Sequence, residues 1–172
     1  MASLMENLID ILNGECQEYE NLLKLSEAKT PVIVSGNLSE LARITDEEQL
    51  IVGKINKLEI SRQGVFADIA NVINKDVKTL KLGDLVDMLS SRPDEQSRLA
   101  KVHDRLKASV SSVKRVNDQN RELIKNALEM VDFNLNVLHS MKAAPESANY
   151  NRTAYSAGMQ VGIDAVGFDA KQ

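Results

Sequence analysis

Apolar residues recur along most of this chain in steps of three and four, the spacing of one face of an α-helix. Prolines fall at 31, 93 and 145 and divide that pattern into segments. In the first, about residues 3–29, Leu4, Leu8, Ile11, Leu12, Tyr19, Leu22 and Leu23 keep helical spacing. Ser3 followed by Glu6 has the form of a capping box. The helix is expected to end before Pro31, because the residue ahead of a proline is pushed out of the α region. TPVIVSGN then reads as an apolar turn over the end of a bundle. Val32, Ile33 and Val34 would suit a short strand, but the chain offers no second strand to pair with it. Gly36 punctuates, and Asn37 with Glu40 marks the next helix start.

The second helix, about 37–75, carries the strongest pattern. Leu41, Ile44, Glu48, Ile51, Ile55, Leu58, Arg62, Val65, Ile69 and Val72 alternate threes and fours without a break. That is a seven-residue repeat, the seam of a coiled coil. Leu50, Val52 and Phe66 widen it, which predicts two helical neighbours. A shorter apolar element, about 79–90, reads as a cap on the bundle's lower end. Pro93 suits the first residue of a third helix, about 93–142. Its expected seam is Leu99, His103, Leu106, Val110, Val113, Asn117, Asn120, Ile124, Ala127, Val131, Asn134 and Leu138. At 1.5 Å per residue the three helices measure roughly 40, 57 and 75 Å. Short connections make consecutive helices antiparallel. The fold class is therefore all-α: an antiparallel bundle of three long helices and one short one over residues 1–142. Rods of unequal length leave part of the longer seams without a neighbour.

Residues 143–172 break the period. They hold three glycines and many small residues, and a flexible tail is expected there. Met159, Val161, Ile163, Val166 and Phe168 make it too apolar for an inert tail, so ordering on a partner is expected.

Composition narrows function mainly by exclusion. No apolar run approaches the roughly 20 residues of a membrane span. MASLMENLID has no basic stretch, so it is not a signal peptide, and a cytoplasmic location is expected. A net charge of −4 disfavours nucleic acid as a partner. Cys16, the single cysteine, excludes an internal disulfide and lies on the apolar side of its helix, where a buried thiol is expected. His103 and His139 lack metal-ligand spacing. The run Asp46, Glu47, Glu48 diverges around the helix axis and reads as a solvated face. With no catalytic arrangement and only 3% aromatics, neither an enzyme nor a cofactor is expected. Charge is uneven along the chain: residues 1–30 carry six acids and two bases, residues 93–142 seven acids and nine bases. Opposite signs suit neighbouring helices.

Glu48 and Arg62 interrupt the second seam. Fourteen residues, about 21 Å of helix, keep them from pairing with each other. A hairpin turning near residue 84 sets Glu48 opposite Asn120 and Arg62 opposite Leu106. Glu48, Arg62, Asn117 and Asn120 are therefore expected to form a polar lock. Polar seam residues cost stability but fix register. The other reading of the two amides is that they face a groove in which a partner helix docks.

EEQL (Glu47–Leu50), LEISR (Leu58–Arg62) and NDQNRELI (Asn117–Ile124) occur in this order, between an opening helix with LIDIL and EYENLL and a tail with Tyr155 and Gly158. In these motifs and their spacing the chain resembles the FlgN family of flagellar export chaperones, over roughly residues 4–160. The resemblance implies a small cytosolic chaperone whose clients are hook-associated proteins, the junction between hook and filament. It would bind the client's terminal helical region, prevent premature assembly and deliver it to the flagellar type III export apparatus. The client site implied lies in the C-terminal half, on the last helix and tail: Leu123, Ile124, Ala127, Val131, Leu135 and Leu138, with the tail folding over. A helix-in-groove binder without chemistry of its own fits the same residues. A self-associating coiled coil, a homodimer closing its own open seam, is the alternative.

Overall fold

A computed structural model describes residues 3–143. It contains α1 (Leu4–Ser35), α2 (Leu38–Val72), α3 (Leu82–Met88), a 3₁₀ turn (Leu89–Ser91) and α4 (Pro93–Ala143). No strand occurs among the described residues. The tail expected from residue 143, with Tyr155, Gly158 and the apolar residues through Phe168, lies outside the described residues beyond Ala143. The chain divides into two compact units, Met1–Ala127 and Leu128–Gln172.

The first unit is an antiparallel bundle. Ser3 caps α1 by accepting the backbone N–H of Glu6 at 3.2 Å. Pro31 does not end this helix, contrary to the sequence expectation; four more residues follow it in α1. Ile33 is buried, so its packing helps offset the hydrogen bond and ring clash that an internal proline costs, about 3 kcal/mol. The stop is Gly36, in the left-handed conformation at φ 68°. Asn37 N–H donates to Val32 O at 3.3 Å and Gly36 N–H to Ile33 O at 3.1 Å. That pair of bonds is a Schellman closure. The Asn37 side chain then accepts the Glu40 N–H at 3.1 Å and opens α2. Two residues thus reverse the chain.

The α2 seam follows the predicted heptad closely, with Ile44, Ile55 and Ile69 buried; its last member, Val72, is exposed. The α4 seam departs from expectation at alternate positions. It runs Leu99, Val102, Leu106, Ser109, Val113, Val116, Asn120 and Leu123, all buried or half-buried. Val102, Ser109, Val116 and Leu123 replace the expected His103, Val110, Asn117 and Ile124. Both series step by threes and fours and differ by one residue at every second position, so spacing alone does not separate them.

Ion pairs Arg98–Glu6 and Arg105–Glu20 run up α1 and α4 in the same direction. α1 and α4 are therefore parallel, with α2 antiparallel to both. Leu8, Leu12, Ile69, Leu80, Leu85, Leu99 and Val102 form the lower core, and α3 with the segment before it closes that end. Each enclosed leucine contributes roughly 2 kcal/mol. Leu22, Ile55 and Val113 form a second cluster farther up.

Gly36 decides where α1 turns back. No atom lies within 4 Å of an added Cβ there, so a substitution meets only backbone strain. Gly36→Ala is expected to cost about 1 kcal/mol. Thermal unfolding should show a lower Tm with unchanged helicity.

Candidate functional site

Two features stand out: polar groups buried inside the bundle, and an apolar surface on α4. The polar groups occupy core positions of α1. Leu8, Leu12, Glu15, Tyr19, Leu22, Ser26, Lys29 and Ile33 alternate fours and threes, a heptad as regular as that of α2. Lys29 Nζ donates to Glu48 Oε2 at 2.8 Å, and Ser26 Oγ to Glu48 Oε1 at 3.0 Å. Asn120 is only 4% exposed. Its Nδ2 donates to the Ser26 carbonyl at 2.7 Å, while Thr30 Oγ1 donates to its Oδ1 at 2.7 Å. Glu48 and Asn120 thus meet on α1, with Ser26 bonded to both. Lower down, Arg62 Nε donates to Glu15 Oε1 at 2.9 Å. Arg62 finds its partner on α1 and not on α4.

Asn117 takes no part in this cluster. It is exposed, because Val116 holds the seam position beside it. Sequence reasoning missed Glu15, Ser26, Lys29 and Thr30. The signal was present: continuing the heptad of α1 through its polar members marks Glu15, Ser26 and Lys29 as core positions.

Burial raises the Glu15 carboxyl above its ordinary range, and the neighbouring Arg62 opposes this without cancelling it. Burial likewise raises the Cys16 thiol, which is enclosed and lies 3.7 Å from Val102 O. Cys16 is packed as an apolar residue, as expected. Among the described residues no group of three or more His, Cys, Asp or Glu is placed to hold a metal. Nor is any described helix long and apolar enough to cross a membrane.

The apolar surface belongs to α4. Leu123 and Ile124 are half-buried in the first unit and Ala127 is exposed there. In the second unit Val131, Leu135 and Leu138 are exposed, as are Leu128, Met130, Phe133, Val137 and Met141, which the seam pattern alone did not mark. Exposure runs from 40% at Val137 to 71% at Met141, over a stretch in which solvent gains nothing from carbon. Isolated exposed apolar residues are ordinary; a dense set of eight marks an interaction surface.

A family model described as FlgN protein matches residues 1–157. The chain belongs to the FlgN family. FlgN proteins are flagellar export chaperones and not enzymes, and an all-helical bundle agrees with that class. A similar protein is the uncharacterized protein YvyG of Bacillus subtilis, 26% identical over 145 residues, which are 84% of this chain and 83% of that one. No solved structure matches the chain.

Two predictions concern the buried charges. Arg62→Glu sets a carboxylate against Glu15 and Glu59 and should cost about 3 kcal/mol. Adding Glu15→Arg should recover most of that loss in a double-mutant cycle measured by urea unfolding. The second uses pH. In the unfolded chain Glu15 titrates at its ordinary, lower value, so its ionised form costs the fold stability at neutral pH. That cost disappears as pH falls from the raised folded value to the unfolded one. Glu15→Gln removes the titration. The stability of the variant relative to the parent should be highest near neutrality and decline toward about pH 4.3. Urea unfolding across that range measures it, and a flat difference would contradict the assignment.

Proposed function

We propose that this FlgN-family protein is a cytoplasmic chaperone for hook-associated proteins. It binds their terminal helical region, keeps them unassembled and delivers them to the flagellar type III export apparatus. The observation that carries the reading is the exposed apolar surface of α4. Val131, Leu135 and Leu138 form the surface on which a client helix packs, and Leu123, Ile124 and Ala127 are the contacts proposed in the first unit. Assembly helices expose apolar stripes of their own before they reach the growing structure, and a chaperone helix that covers them prevents aggregation and premature pairing. Affinity then comes from a few apolar anchors near the middle of the contact. No nucleic acid, cofactor or membrane insertion enters this function.

A second copy of the chain is the competing occupant, because the same surface would close equally well by dimerisation. Sedimentation alone and with a purified hook-associated protein separates the two: a tight dimer that ignores the client rules out the chaperone reading. Val131→Asp is expected to abolish client binding while leaving the helical circular dichroism essentially intact, since Val131 is already exposed. Unfolding of this variant would mean that Val131 is core and that the groove lies elsewhere.

A further inference from the structure

The exposed apolar residues of α4 do not lie on one face. With a helix turning about 100° per residue, Leu128, Val131, Leu135 and Leu138 fall within one arc of about 80°. Met130, Phe133, Val137 and Met141 fall within another of the same width, whose midline is about 140° away. Asn134 separates the two arcs on one side. On the other stand Glu129, Asp132, Asn136, His139 and Ser140, a polar face. A helix packs against its neighbour through a stripe of roughly 100°. One partner helix therefore covers one arc and leaves the other in water.

The same helix supplies the comparison. Between Leu99 and Ala127, where α1 and α2 both pack on α4, Val110 is the one exposed residue among eight large apolar ones. From Leu128 to Met141, all eight are exposed. The stretch with two helical neighbours hides its carbon, and Leu128–Met141 holds as many large apolar residues in half the length with none of them enclosed.

We infer that the client grips this part of α4 with two helices, one on the Val131 arc and one on the Phe133 arc. The inference rests on the reading that α4 holds the client. The span, Leu128–Met141, is about four turns, and a lone helix of that length is marginal in water. Two client helices joined to each other share the ordering cost. Charge specifies them further. Asp132 borders the Val131 arc and Glu129 the Phe133 arc, and neither is ion-paired among the described residues. Each client helix accordingly presents an apolar seam flanked by a lysine or arginine on the edge that meets the polar face of α4. The site recognises a pair of amphipathic helices with basic edges.

Calorimetry on the full-length chain tests this with two probes: an intact hook-associated protein, and a synthetic peptide of its C-terminal helix alone. Val131→Asp and Phe133→Asp are compared, with Val131→Ser and Phe133→Ser as milder partners should the aspartates fray the helix. Either single substitution should weaken binding of the intact protein by about tenfold or more. The single-helix peptide should bind more weakly and respond to one of the two positions only. If Val131→Asp abolishes binding and Phe133→Asp leaves it unchanged, the client uses one helix and the inference falls while the chaperone site stands. If neither substitution matters, the site itself is wrong. If Phe133→Asp matters only once residues 144–172 are deleted, the chain's own tail covers the second arc and the inference is again overturned.

Discussion

The register of this bundle rests on two ion pairs placed fourteen residues apart. Reading up α1, the core meets Leu8 with Ile69, then Glu15 with Arg62, then Leu22 with Ile55, then Lys29 with Glu48. Apolar and ionic layers alternate every seven residues, and the ionic layers have opposite polarity. A slip of α1 by one heptad would bury a charge against isoleucine. A slip by two would set Glu15 against Glu48, or Lys29 against Arg62. Only one alignment satisfies all four layers, so the charges act against the wrong alignments more than they strengthen the right one. α4 joins the same scheme through Leu99, Val113 and Asn120, the last bonded in the layer that holds Glu48.

This arrangement explains which parts of the fold the sequence disclosed. The α2 heptad was legible because its members are nearly all apolar, and Glu48 and Arg62 stand out against that background. The hairpin register that sets Glu48 near Asn120 followed from the position of the turn alone. The α1 heptad was not legible from carbon, because Glu15, Ser26 and Lys29 sit in its core and look like surface residues. In α4 the seam passes through Ser109, which is small enough to be enclosed between helices, while the larger Val110 stays outside. Pro31 misled for another reason. A local preference worth a few kcal/mol was outweighed by burial of Ile33 and by the better terminator at Gly36. For the candidate site, the expected seam carried past the bundle marks Val131, Asn134 and Leu138; Leu135 entered only through the family resemblance, and a single stripe is blind to Phe133 and its neighbours.

The layers that set the register and the proposed client surface thus differ in chemistry. Inside the first unit, polar groups decide how the helices align, and nearly every large apolar residue of α4 is used up. Among the described residues from Leu128 to Met141, apolar residues are in excess and no ion pair occurs. On the proposed reading, a client docked there meets a surface that is permissive about register.

The turn at Gly36 and Asn37 has a consequence for the order in which the parts come together. Two residues join α1 to α2, whereas α4 follows α2 only after a connection of some twenty residues that includes α3. Closing a short loop costs less chain entropy than closing a long one. The α1–α2 hairpin, with both ion pairs inside it, is therefore the cheapest long-range contact to form. It can zip as soon as residue 72 is free, before α4 has left the ribosome. α4 then docks onto a finished template whose layers already specify its alignment.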